Sequence, residues 1–304
     1  MLEWILFEQF LANAIAYAIP IVFAAYASLI SGKAGCAAIN IEGAMSLSAI
    51  AGALTSHYTG SWILGLAAAV LAGIVMMLFL ALASLQLRAN GFLSGIALNT
   101  FASGSCLLIV KGVLNGRTDT STAPSVAVPG IRIPLLNRIP VIGKMLFDQN
   151  LLFYLMIIVL ILLHILLNST RLGIYIKTAG YHPEAGASVG IRVKKTRLAA
   201  LMICGAMAGL GGAYLSMVSL GYFSAGMVSG RGFIGIAAEA MGAGSPFMTT
   251  LYALLFGSVD CFAVSAQTVL SFPYELLNTL PYLMTLAALT LYAAARRANE
   301  KKGQ

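Results

Sequence analysis

Apolar runs of bilayer length recur along this chain, and they constrain everything else about it. Runs of about 20 residues, enough to cross a membrane as helix, fall near 10–30, 35–56, 61–85, 91–110, 151–168 and 198–221. A glycine-rich run at 232–245, an apolar run at 248–266 and a last one at 275–293 bring the expected crossings to nine. Charged residues are only 9% of the 304, against about 25% in a soluble domain. The expected fold class is therefore all-α: one polytopic helical membrane domain over residues 1–304, with glycine-broken helices lining a central cavity. The N-terminus, "MLEWILFEQF", has Glu3 and Glu8 and no basic stretch, so no cleaved signal peptide is expected.

The net charge of +8 raises the question of nucleic acid, and its distribution answers for topology instead. Alternating sides along the expected crossings places Lys33, Arg88, the basic residues of 169–197 and the tail from Arg296 to Lys302 together. Lys111, Arg117, Arg132, Arg138, Lys144 and Arg231 fall on the other side. The count is twelve against six, and the richer side is cytoplasmic by the positive-inside rule. The expectation is an N-terminus outside, a C-terminus inside, a cytoplasmic loop at 169–197 and an extracytoplasmic loop at 111–150. The outer loop is rich in Pro, Gly and Asn and reads as irregular with a short interfacial helix. It serves either as a dock for an external partner or as a passive connector.

Two segments place polar groups at membrane depth. The first, 35–56, contains Asn40, Glu42, Gly43 and Gly52. A mid-helix glycine costs about 1 kcal/mol, and a carboxylate at that depth costs a few kcal/mol unless it faces protein or water. Together they indicate a broken helix at a cavity, or a carboxylate that caps a packed helix end. The second, "GRGFIGIAAEAMGAGSP" at 230–246, repeats the pattern with five glycines and Glu239. "GFLSGIALN" from Gly91 and "GFIGIAAE" from Gly232 align with one residue's offset. They read either as an inverted repeat or as helix-packing glycines of the Gly205-xxx-Gly209 kind. Asp260 is a third buried-looking acid, with Arg231 as its nearest basic candidate. Acids of this kind suit a polar solute pathway, a cation site or, if protonated, plain packing. Cys36, Cys106, Cys204 and Cys261 read as small buried hydrophobes. His57, His164 and His182 lack ligand spacing, so no metal site is expected.

The cytoplasmic loop carries a short helix, "PEAGASV", started by Pro183 and stopped by Gly190, residues in their usual start and stop roles. Flanked by basic residues, it fits a groove on another protein, or is a helix within a solvated loop. The chain has no G-x-x-x-x-G-K-[ST] phosphate loop for ATP, and no HExxH metalloprotease or GxSxG serine-hydrolase motif. A pump built on it draws energy from another chain or from an ion gradient.

Four stretches carry a family resemblance. "GKAGCAAINIEGAM" resembles the G-x-x-N-I-G-x-E-G signature of ABC-transporter permeases of the branched-chain amino acid, simple sugar and nucleoside family. Asn40 stands between Ile39 and Ile41, and the glycine before the acid is absent. "LGIYIKTAGYHPEAGASVGI" resembles that family's coupling loop, with Lys177 for the usual Arg and His182 for the usual Asn. "GRGFIGIAAEAMGAGSP" and "FPYELLNTLPYLMTLAALTL" resemble two later segments, so the likeness runs in order from about residue 15 to 295. The shorter permease of nucleoside uptake systems is the nearest type; simple sugar (ribose or galactose type) and branched-chain amino acid permeases share the pattern.

The resemblance implies a bacterial inner-membrane permease with no enzymatic activity. ATP and Mg would sit on a partner ATPase, and this chain would bind no cofactor. Further implied partners are a second, different permease and an extracytoplasmic substrate-binding lipoprotein; nucleic acid is not one. Asn40, Glu42, Gly43, Asn99 and Glu239 would line the translocation path, with Phe92 and Phe233 stacking on a base or simply packing. Gly180, His182, Pro183, Glu184, Ala185 and Gly190 would form the ATPase-coupling element. The rival of another class is a gradient-driven secondary transporter working alone, with Glu42, Glu239 and Asp260 as proton carriers.

Overall fold

The computed structural model describes residues 2–132 and 148–269, with 279, 283–287 and 290 beyond them. Ten helices and one small ribbon account for the continuous part. They are α1 (Leu2–Lys33), α2 (Ile41–Thr59), α3 (Trp62–Ala81) and α4 (Gly91–Val113), then strands β1 (Gly130–Arg132) and β2 (Asp148–Asn150). After these come α5 (Leu151–Ser169), α6 (Arg171–Tyr181), α7 (Pro183–Ser188), α8 (Val193–Tyr214), α9 (Arg231–Met241) and α10 (Pro246–Val269). Single π-helical turns extend α3 through Leu82–Gln86 and α8 through Leu215–Ser219.

Asparagine and threonine side chains start several helices, as their oxygens suit free N–H groups. Asn90 accepts from Phe92 and Leu93 at α4, Asn150 from Phe153 at α5, and Thr170 from Gly173 at α6. Helix α1 is the centre of the molecule. It is apolar on all sides, as a fully surrounded helix must be, and its residues from Ala18 to Ile30 are buried throughout. Helices α8, α9 and α10 pack round it. Its Tyr26 hydroxyl is paired with the Thr250 hydroxyl of α10 at 2.9 Å.

Glycine sets the tight crossings. At the contact of α3 with α8, a Cβ on Gly205 would lie 2.6 Å from the Gly73 carbonyl oxygen, and one on Gly209 would lie 2.7 Å from Val70 Cα. The Gly205-xxx-Gly209 spacing thus brings two backbones together, the role such spacing takes between membrane helices.

Nine crossings are not confirmed. Among the described residues, six helices have the length and apolarity to span: Phe10–Lys33, Trp62–Gln86, Gly91–Val113, Leu151–Ser169, Val193–Ser219 and Pro246–Gln267. The expected crossing at 35–56 emerges as α2, which starts only at Ile41. At 19 residues it is long enough, but Glu42, Ser46, Ser48, Ser56 and His57 make it more polar than the six. The expected crossing at 232–245 is the 11-residue α9. At 1.5 Å per residue it covers only about 16 Å, half a bilayer. The crossing at 275–293 and the basic tail lie largely outside the described residues.

The described part of the 111–150 loop is more ordered than its composition suggests; the stretch 133–147 lies outside the described residues. Strand β1 pairs with β2 in antiparallel register, Gly130 opposite Asn150. Before it, the loop is laced to the turn after α8. Thr120 N–H donates to the Phe223 carbonyl and its Oγ1 accepts from Phe223 N–H, both at 2.8 Å. Ser125 donates through its amide to the Gly221 carbonyl and through its hydroxyl to that of Ser216.

Candidate functional site

Helices α2 and α9 both begin inside the protein, and their first turns meet. Glu42, second residue of α2, sends its carboxylate to the start of α9. Its Oε1 accepts from Gly230 N–H at 2.7 Å and its Oε2 from Gly232 N–H at 2.8 Å. Gly230 sits at the cap position with φ +78° and no side chain of its own, so a residue on another helix supplies the cap. A carboxylate is the favourable charge there, since exposed N–H groups make a helix start electropositive. Gly232 makes the approach possible: a Cβ on it would lie 2.7 Å from Glu42 Oε2 and 2.8 Å from Glu42 Cα.

Asn99 of α4 performs the matching task for α2. Its Oδ1 accepts from Gly43 N–H at 2.8 Å, and its Nδ2 donates to the Ile39 carbonyl at 3.0 Å. A Cβ on Gly43 would stand 2.9 Å from both Asn99 Oδ1 and Ala102 Cβ. Asn40 is fully buried; its Nδ2 donates to the Met76 carbonyl at 3.4 Å, and its Oδ1 meets no donor. Residues 39–43 are therefore clamped between α4 on one side and α9 on the other.

Arg231, beside the same junction, forms an ion pair with Asp260 of α10. Its Nη2 and Nε lie 2.9 and 3.0 Å from one carboxylate oxygen. Both side chains are mostly buried, 15% and 13% exposed. Arg231 also donates to the Met227 carbonyl and stands 5.9 Å from the Tyr17 ring centroid. Asp260 is thus paired within the chain.

Glu239 lies further along α9, half-buried, where Gly32 of α1 leaves it room. Its polar neighbours are the Lys33 ammonium and the Ser28 hydroxyl. Lys33 in turn donates to the Tyr181 hydroxyl at 3.0 Å. Phe92 and Phe233 are exposed, at 61% and 45%. Phe92 borders a cavity of about 270 Å³ under the 34–40 segment, with Cys36 and Arg197 also in its wall.

The loop helix is present as α7, with Pro183 at its first position and Gly190 at φ +88° beyond its end. His182, Glu184 and Ala185 are exposed, and Gly186 is its buried member. Gly180 presses on the turn after α1, where a Cβ on it would lie 3.0 Å from Gly35 N. Arg197 of α8 fastens this junction, donating to the Ala34 carbonyl at 3.2 Å and the Ala179 carbonyl at 3.0 Å. Both carbonyls lie at helix ends, where a cation is favoured.

The structure therefore brings Glu42, Gly43 and Asn99 into one junction with Asn40 beside it. It puts Glu239 near the loop and leaves Phe92 and Phe233 on outward faces. Sequence reasoning missed Arg197, the Lys33 link and the two glycine amides. A basic residue just past the loop helix was the available signal for Arg197; a backbone donor leaves none. Cys106, Cys204 and Cys261 are buried and Cys36 is half-buried, all as free thiols. Among the described residues no three His, Cys, Asp or Glu side chains cluster as metal ligands.

Residues 10–289 match the family described as branched-chain amino acid transport system / permease component. The guanosine ABC transporter permease protein NupQ of Bacillus subtilis (strain 168) is 33% identical over 94% of this chain and 92% of its own. The nucleoside ABC transporter permease protein NupC of Lactococcus lactis subsp. cremoris is 30% identical, covering 96% and 94%. The glucose ABC transporter permease protein TsgB13 of Haloferax volcanii is 26% identical over 92% of this chain and 76% of its own. No solved structure matches the chain.

Proposed function

We propose that this chain, which belongs to the branched-chain amino acid transport system permease family, is the nucleoside-conducting permease of an ATP-driven importer. It is a multi-pass membrane protein and not itself an enzyme; the ATPase is a separate chain. The observation that carries the nucleoside reading is the likeness to NupQ and NupC over nearly the whole of each chain. Likeness over part of the chain to two further permeases, NupB of Lactococcus lactis and NupP of Bacillus subtilis, supports a second, different permease as partner. An extracytoplasmic binding lipoprotein completes the proposed system. ATP and Mg belong to the ATPase, and this chain holds no cofactor. The basic loop faces the cytoplasm, the N-terminus lies outside and the C-terminus inside.

In this reading α7 docks on the ATPase, with Pro183, Glu184 and Ala185 at the contact and His182 beside it. Gly180 and Arg197 join the docking element to the end of α1. Lys33 relates Tyr181, next to that element, to Glu239 on α9. Helix α9 is the rod between the two ends: Glu239 stands seven residues from Gly232, about 10 Å along the axis. Movement at α7 reaches the 39–43 clamp through this rod, a rigid element with two positions biased by a partner. Asn40, with its unpaired Oδ1, Glu42 and Asn99 meet the solute when movement of the clamp uncovers them, and Phe92 and Phe233 meet it only where the path runs along their outward faces.

Glu184→Arg is expected to reduce uptake to background and to abolish copurification of the ATPase while the chain stays in the membrane. Normal uptake would remove α7 from the coupling role. For the function itself, the tagged chain is purified from its host with its partners, and ATP hydrolysis is measured with guanosine and other nucleosides. Stimulation by nucleosides is the expected result. Stimulation by glucose alone would transfer the assignment to sugars, the reading that the Haloferax relative favours. Uptake by the chain alone under a pH gradient would make it a secondary transporter.

A further inference from the structure

An apolar groove with a volume of about 480 Å³ lies between the end of α3 and the start of α8. Its walls are Leu78, Phe79 and Leu82 on one side and Leu198 on the other. Leu78, Phe79 and Leu82 are exposed, on a helix whose apolar window is only 33% buried. In a membrane-spanning chain such a face meets hydrocarbon. Lys194 and Lys195 stand at the mouth of this groove, both exposed. Neither meets a carboxylate among the described residues, and no acid lines the groove among them.

We infer that this groove is a binding site for one anionic phospholipid, its acyl chain along Leu78, Phe79, Leu82 and Leu198 and its headgroup phosphate between Lys194 and Lys195. The occupant follows from charge and polarity in sequence along the groove. The floor is apolar and open sideways, which suits an acyl chain. The mouth holds two cations with no counter-charge among the described residues, which suits a headgroup with net negative charge. Basic pockets between spanning helices at the membrane surface bind such headgroups, and long lysine side chains reach them while their stems cover apolar surface. A zwitterionic lipid offers the same chains without the net charge, so selectivity lies in the lysines. The site is separate from the 39–43 clamp and from α7, and does not depend on the identity of the solute.

The test uses the purified assembly in nanodiscs of phosphatidylcholine with graded phosphatidylglycerol, followed by native mass spectrometry after mild delipidation. One phosphatidylglycerol per copy of this chain is expected to stay bound. Lys194→Gln with Lys195→Gln should weaken its retention about 30-fold, since each lysine contributes about a kcal/mol to such contacts. Leu82→Trp, which fills the groove and keeps both lysines, should also release the lipid. Equal retention by the double variant would overturn the site. So would an unaffected Leu82→Trp variant, which would reduce the effect to attraction of any anion. Absence of the lipid from the wild-type assembly, with its binding appearing only after the ATPase is stripped off, would overturn it in favour of a protein contact. Gel-filtration elution at the wild-type volume certifies each variant as folded; should Leu82→Trp fail this, Leu82→Phe takes its place.

Discussion

Replacing Glu42 with alanine is expected to abolish uptake and to remove about 3–6 kcal/mol from the seating of α9 on α2. The figure is two charge-assisted hydrogen bonds at about 1.5–3 kcal/mol each, those from Gly230 and Gly232 to the carboxylate. Alanine leaves both amides at a helix start without an acceptor, in a position that Gly232 keeps closely packed. Glu42→Gln keeps one oxygen acceptor and turns an amide donor toward the other N–H, so it should fall between wild type and alanine. Thermal melting in detergent reads the packing, and uptake by cells holding the whole system reads the function. An unchanged melting temperature for the alanine variant would show that the cap contributes nothing. A lowered melting temperature with full uptake would confine Glu42 to structure.

Arg231→Ala is the second large effect, at about 3–5 kcal/mol of destabilisation, because it strands the Asp260 carboxylate in a mostly buried place. The double variant Arg231→Ala with Asp260→Ala removes both charges and should recover most of that loss, as replacing a whole buried pair is often close to neutral. A double-mutant cycle on melting temperature checks it. If the two single losses simply add, the pair is not coupled. Uptake by the double variant then separates packing from transport: full uptake would exclude Asp260 as a proton carrier.

Much of the fold was legible because hydrocarbon imposes a simple demand. A spanning helix must be long and apolar, so α3, α4, α5, α8 and α10 announce themselves within about five residues of their ends, and α1 does so except for its start, which lies eight residues before the expected run. Pro183 and Gly190 marked α7 because they act through local backbone geometry. The failures are of another kind. Helix α9 is short, and its N-terminal support comes from Glu42, far away in the chain, so no window of sequence contains both partners. The sequence offered a cavity-lining acid or a helix-end cap for Glu42, and it could not name the helix whose end the carboxylate meets. The order in the 111–132 stretch was hidden for a related reason. Thr120 and Ser125 look like loop filler until Phe223 and Gly221 are placed beside them. Arg231 was visible as the nearest cation to Asp260, and only the fold of 220–230 brings them together.

The grip of Glu42 on α9 also bears on how the chain is made. Irregular backbone at membrane depth is tolerated only where protein or water surrounds it. The half-length α9 and the turns that flank it therefore need protein around them wherever they lie within the bilayer. Their seat is made by α1 and α2, and the carboxylate that receives α9 is synthesised 188 residues before Gly230. The seat leaves the ribosome before the insert. On this order of synthesis, α9 reaches a seat already made while α10 has still to follow, and a fault in α1 or α2 leaves the insert without its seat.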